Sequence, residues 1–201
     1  MTTSTPDRLL DAAANLFAAR GFAGTSVADI EEAAGFTRRG GTLFKHFSSK
    51  QAVFQAMIDR HADTVSQATD LSALLPLGDL RAELTLVARF VLAELSDEEP
   101  IHRALDSAGP EVPDARERML VDVLEPGYRR SAELLQRWIG EVRQLDDPEA
   151  SVSVLMGGLV NLRRNAWTFG RVPLDVNDHR AIDAWVDLAI SFIRHKQQVG
   201  R

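Results

Sequence analysis

Apolar residues recur at three- and four-residue spacing along most of the chain, and the breaks between them carry helix start and stop signals. Leu9, Ala13, Leu16 and Phe17 form a first stripe, opened by Thr5-Pro6 as hydroxyl cap and first-turn proline and ended by Gly21. A second stripe, Val27, Ile30 and Ala33/Ala34, starts at Ser26 with Asp29 as a capping-box acid and closes at Gly35. It is about two turns long and needs neighbours on both sides to persist. A third short helix is expected from Thr37 or Arg39 to Phe44, anchored by Leu43 and Phe47. Ser48 with Gln51 then caps a fourth, which carries Val53, Phe54, Met57 and Ile58 and runs to about Thr69.

From about Leu71 the pattern stays helical, with no strand alternation, hairpin signal, repeat or low-complexity tract. Helices are expected over Leu80 to Leu95, from Glu98-Glu99-Pro100 to Gly109-Pro110, from Pro113-Asp114 to Ile139, and again from Asp146-Asp147-Pro148. Pro126-Gly127 lies inside the third of these and predicts a break or kink. In SVSVLMGGLVNLRRNAWTFG, Val152, Leu155, Met156, Leu159, Val160 and Trp167 make one stripe. Val154, Gly158, Leu162, Asn165 and Phe169 make a second on another face. The last helix repeats this, with Ile182, Trp185, Val186, Ala189 and Ile193 on one side and Leu188 and Phe192 on the other. A helix apolar on two faces must be buried on both. A two-fold dimer is therefore expected, with Val154, Gly158, Leu162, Asn165, Leu188 and Phe192 in its interface and Gly157-Gly158 allowing close backbone approach. Arg163 and Arg164, midway along an apolar helix, need partners. An acid across the interface is the favoured one and an anionic effector the alternative.

Charge changes this picture locally. The 201 residues carry a net −6, which argues against a general coat for nucleic acid. Residues 1–50 hold six Lys/Arg and five Asp/Glu, the remainder 17 and 24, so +1 sits on the first part and −7 on the rest. Residues 37–50 hold four basic and no acidic side chains. This is a basic patch on an acidic body, the distribution of a reading head attached to a regulatory part. The absence of cysteine removes disulfides and cysteine-ligated metals and fits a reducing cytoplasm. No apolar run reaches the length of a membrane span, and the start has no signal-peptide pattern.

The basic patch suggests the chemistry. Thr37, Arg38, Arg39, Thr42, Lys45 and His46 follow a small turn and suit a short helix presented to DNA. Thr and Arg can bond base edges, while Lys, His and helix N-termini meet phosphates. Lys50 is expected at a phosphate, as are Thr25 and Ser26 at the start of the second helix, where capping is an equally good reading and compatible with it. No His-Glu-x-x-His spacing, phosphate-cradling glycine pattern or nucleophile elbow occurs, so no catalytic residue, metal site or cofactor is assigned.

The blocks LLDAAANLFAARGFAGTSVADIEEAAGF and TLFKHFSSKQAVF, in this order from Leu9 to about Met57, resemble the N-terminal helix-turn-helix of the tetracycline-repressor (TetR) family of transcriptional regulators. GFTRRGGTLF departs from the family pattern. It is two residues longer between its glycine and its aromatic, and Phe44 replaces the usual tyrosine. The resemblance implies an all-α chain in which residues 1–50 are a three-helix DNA-binding domain and residues 51–201 a helical effector-binding and dimerisation domain. It also implies a small-molecule effector of unknown identity, for which Phe90, His102, Met119, Tyr128, Trp138, Asn161, Arg164 and Trp167 are the candidate lining residues. The expected function is a cytoplasmic homodimer that represses a palindromic operator on double-stranded DNA and is released by that effector. A DNA-binding dimer without an effector, or an activator, is the alternative, and a helical enzyme or ligand-binding protein the remote one.

Overall fold

The computed structural model describes residues 4–67, 71–140 and 144–198. Among these, every regular element is helical and no strand occurs. The elements divide into two compact units, the first holding the N-terminal helices and Glu98–Leu124, the second the stretch ending at Asp97 and the chain from Glu125.

The first unit begins with α1 (Thr5–Arg20), α2 (Val27–Ala33) and α3 (Lys50–Gln67), and adds α5 (Glu99–Ala108) and α6 (Pro113–Met119). Its core is aromatic at the centre. Phe17, Phe22 and Phe54 lie with ring centroids 5.3 to 5.5 Å apart, and all three are fully buried with Leu9, Ile30, Leu43 and Ile58. Such ring pairs add about 0.5–1.5 kcal/mol each beyond their area, and the cluster lets helices as short as α2 persist. Caps fall close to the expected places. Ser4 rather than Thr5 caps α1, while Ser26 and Asp29 form the expected reciprocal box on α2. Ser49 rather than Ser48 caps α3, accepting the Ala52 N–H at 3.0 Å. The expected end of α3 near Thr69 lies outside the described residues.

The segment Glu98–Leu124 contributes a partly buried ionisable cluster to this unit. Glu98, just before α5, has one carboxylate oxygen 3.2 Å from His61 Nε2 of α3 and the other 3.4 Å from His102 Nε2 of α5. Burial pushes the Glu98 carboxyl up, but hydrogen bonds with His102 and His61 outweigh it and hold it down at about 2.

The second unit packs α4 (Leu80–Asp97), α7 (Glu125–Ile139), α8 (Pro148–Phe169) and α9 (Asp178–Gln198) around one core that includes Leu84, Leu92, Leu159, Trp185 and Ile193. Glu83, 5% exposed, accepts the Leu77 N–H at 2.8 Å, the Gly78 N–H at 3.2 Å and Trp138 Nε1–H at 2.6 Å, so a buried carboxylate fixes the entry to α4 and the end of α7 together. The break expected at Pro126 is present, and its form is specific. Leu120–Leu124 is a π-helical turn and α7 restarts at Glu125. Proline has no N–H for the carbonyl four residues back and its ring crowds it, so the turn ahead of Pro126 widens.

The boundary of the compact units differs from the functional division expected after residue 50: all of α3, with α5 and α6, packs with α1 and α2. A helix that carries Val53, Phe54, Met57 and Ile58 towards the Phe17 cluster has its apolar face committed there.

Candidate nucleic-acid interface

The segment after α2 is not a helix at its start. Arg8 of α1 donates to the Ala34 carbonyl at 2.6 Å and lies 4.4 Å above the Phe36 ring, closing α2 and turning the chain out. Residues Thr37 to Gly40 then form a tight turn, with the Gly40 N–H on the Thr37 carbonyl at 2.8 Å. Arg39 takes φ 60° and Gly41 φ 73°, both left-handed. A side chain at Gly40 would place Cβ 2.8 Å from the Thr37 oxygen. The adjacent glycines therefore make the longer turn possible, one by close approach and one by its φ. Only a single 3-10 turn follows, Leu43–Lys45, where a helix from Thr37 or Arg39 was expected. The two additional residues are spent on the loop.

Leu43 pins this turn to the core at 0% exposure, with Phe47 packed against the same cluster, as the pattern predicted. Thr42 precedes the turn without a side-chain cap. The cap comes from α2 instead. Glu31, 1% exposed, accepts the Leu43 N–H at 2.9 Å. Sequence reasoning missed Glu31, although a signal existed: Val27, Ile30, Glu31 and Ala34 are the three-four-seven stripe of α2, and an acid on that stripe needs a buried donor.

The candidate contact residues separate into two groups. Thr37, Arg39, Lys45 and His46 are exposed and Thr42 is half-buried. Phe44 is 60% exposed beside them, an apolar ring on the same short segment. The remaining four are occupied within the chain. Thr25 is 1% exposed and its hydroxyl donates to the Gly21 carbonyl at 2.9 Å, so its side chain is a loop lock and not a phosphate donor. Ser26 gives its hydroxyl to Asp29 at 2.6 Å and accepts the Asp29 N–H, the capping half of its two readings. Lys50 donates to the Phe22 and Thr25 carbonyls at 2.7 and 3.0 Å and sits 4.1 Å over the Phe22 ring, which corrects its placement at a phosphate. Arg38 lies 2.6 Å from Glu32 and 3.0 Å from Asp29. The Glu32 hydrogen bond first, then the Asp29 charge, raises its pKa. The hydrogen bonds from Ser26, with Arg38 adding charge, lower that of Asp29.

The residues expected to line a pocket are distributed over both units. His102 and Met119 belong to the first unit, where His102 meets Glu98 and Met119 is 2% exposed core. Phe90, Tyr128, Trp138, Asn161, Arg164 and Trp167 belong to the second. That unit has an apolar hollow among α4, α7, α8 and α9, lined by Val87, Leu134, Trp138, Met156 and Trp185 among others. Of the expected residues only Trp138 lines it, and Asn161 and Arg164 are exposed. Its free volume is about 20 Å³, room for about one water molecule. The expected interface stripe also divides. Val154 is 80% and Leu188 67% exposed, and Gly158 is exposed, with Phe169 and Leu174 nearby in sequence also bare. Leu162 is buried in the subunit's own core, Phe192 packs against that core, and Asn165 is half-buried. Arg163 is satisfied inside its own chain, by a two-pronged pair with Asp178 at 2.7 Å and the Leu92 carbonyl at 3.1 Å, and so needs no partner across an interface. The Arg163 hydrogen bond lowers the Asp178 pKa against its partial burial.

A short capped helix followed by a pinned turn with cations outward has the order of a helix-turn-helix whose second helix is reduced to one 3-10 turn. Residues 9–57 match the family model described as bacterial regulatory proteins, tetR family. Over 51 residues the chain is 49% identical to MftR of Mycobacterium tuberculosis, a transcriptional regulator named for mycofactocin biosynthesis, covering 25% of each chain. Over 57 residues it is 40% identical to the HTH-type transcriptional repressor ComR of Escherichia coli, covering 28% of this chain and 26% of ComR. These matches span about a quarter of the length of the curated relatives. Across the whole chain the fold is that of the flavonoid-responsive regulator FrrA, with a TM-score of 0.64 at 23% identity, covering 95% of both chains. Over residues 9–57 the chain is thus similar to the N-terminal part of TetR-family regulators, and over its whole length it shares the fold of solved regulators.

Proposed function

We propose that the protein is a homodimeric transcriptional repressor that binds a palindromic operator through the Thr37–His46 turn and is released by a small-molecule effector. In this reading residues 1–50 read DNA in the cytoplasm and residues 51–201 bind the effector and the second subunit. The observation that carries it is the exposed set Thr37, Arg39, Lys45 and His46, with half-buried Thr42 among them, on a segment fixed at Leu43. Hydroxyl and guanidinium groups meet base edges there, and the ammonium and imidazole meet phosphates. One such turn makes too few contacts for specificity, and two copies related by a two-fold axis supply two half-sites. The bare residues Val154 and Leu188 support a second copy on α8 and α9.

Repression is supported by the description of ComR, and an effector by that of FrrA. The hollow beside Trp138 is the place for the effector, and any organic molecule there has to part the helices that line it. An effector acts only through its differential affinity for the DNA-binding and released states of the dimer. Measuring duplex affinity against salt tests the reading. Arg39→Ala and Lys45→Ala should each lower the slope of log affinity on log salt by about one per subunit. Unchanged affinity and slope in both would mean that this turn does not touch DNA.

A further inference from the structure

The reading turn is held at both ends by acids of the helix before it. At its start, Arg38 bridges Glu32 at 2.6 Å and Asp29 at 3.0 Å. At its end, the Glu31 carboxylate holds the Leu43 N–H at 2.9 Å. Between these two ties lie Arg39, Gly40, Gly41 and Thr42, with Arg39 and Gly41 left-handed. A 3-10 turn has no partner of its own for its first amides. A carboxylate buried to 1% exposure is unstable unless it accepts hydrogen bonds. Each end therefore satisfies a need of the other, and the contact is charge-assisted.

We infer that the three acids of α2 shape the reading turn: Glu31 is a positioning residue for DNA recognition, and Arg38 is a brace within the protein and not a phosphate contact. This rests on the DNA-binding reading above. These ties set the direction in which Arg39 and Thr42 leave the backbone. Both claims separate shape from charge. Losing Glu31 changes which sequences are read without removing a phosphate contact. Losing Arg38 does the same, because its charge already faces two carboxylates.

The full chain is used for the test, with two duplex probes: the sequences it enriches itself from randomised DNA, and unselected DNA of equal length. Glu31→Leu should lower the ratio of selected to unselected affinity by about tenfold or more, the order of one lost base contact, with the salt slope unchanged. Glu31→Gln keeps a carbonyl acceptor and should retain the ratio within about threefold, on the scale of a neutral rather than a charged hydrogen bond. Arg38→Met should lower the ratio at unchanged slope, whereas Lys45→Met lowers the slope by about one per subunit. Hydrogen exchange provides a readout without DNA. The Leu43 amide should lose protection in Glu31→Leu while amides around Phe54 keep theirs. Should Phe54 also lose protection, Arg38→Met carries the test, since that side chain is half exposed and outside the core. An unchanged ratio and an unchanged Leu43 amide in Glu31→Leu, or a lowered slope in Arg38→Met, overturns the inference. A wild-type chain that enriches no sequence overturns the DNA-binding reading itself, and with it the recognition role, whatever Leu43 shows.

Discussion

Arg39 stands at the tip of the reading turn in the left-handed region, at φ 60°, where a non-glycine side chain is strained by about 1 kcal/mol or more. Glycine would relieve that strain, so retention of arginine here places contact above stability. Arg39→Gly should raise unfolding free energy by up to about 1 kcal/mol, measured by denaturant unfolding, while lowering the salt slope of DNA binding. Reduced stability together with unaltered DNA binding would make Arg39 a structural residue. Glu98 offers a second residue-scale test. Its folded pKa, about 2, lies below the ordinary carboxylate range. Its contribution is therefore fully present above that range and is lost as pH falls from about 4.5 towards 2, amounting to about 3 kcal/mol at most. Glu98→Gln should lower stability at neutral pH and flatten the acid limb of the stability curve. An acid limb equally steep in the variant would show that other carboxylates set it. Arg39 was legible as a cation near DNA but not as a strained one, because φ depends on the turn that Gly40 closes. Glu98 read as a helix start, because the partner that makes it part of a half-buried cluster, His61, lies 37 positions away.

At the scale of elements, the stripes located the helices because each buries one continuous face, and the caps at Ser26, Gly21 and Asp147 were local enough to read directly. Two elements escaped. The reading helix became a turn plus one 3-10 turn because Gly40 and Gly41 favour loop geometry over helix. The break at Pro126 took the form of a π-turn ahead of the proline, a geometry that the residue type alone does not specify. The doubled stripes of α8 and α9 were read as one interface, yet a stripe shows that a face is buried and not against what. Leu162 is core and Arg163 pairs with Asp178 in its own chain, so the large apolar side chains left bare on these stripes are Val154, Phe169 and Leu188. If they meet a second subunit, Val154→Asp with Leu188→Asp should halve the mass measured by light scattering. Subunit stability should then change by less than about 0.5 kcal/mol per site, as for ordinary surface positions. A wild-type chain that is already monomeric at micromolar concentration removes the dimer. A double variant that stays dimeric moves the interface elsewhere.

For the molecule as a whole, the division of charge has a consequence for binding. An acidic body with net −7 repels DNA at long range, while the cations outside the α2 bracket are few. Affinity without sequence preference should thus be weak at physiological salt, and tight binding should require two turns seated on two half-sites at once. The most direct measurement is selection from randomised duplex DNA by the purified full chain at physiological salt, followed by sequencing of what it retains. One inverted repeat should be enriched, with half-site centres about 10 base pairs apart or a multiple of that, bound at about nanomolar concentration. Recovery of no common sequence, with retention that vanishes on a modest rise in salt, would contradict the proposed function.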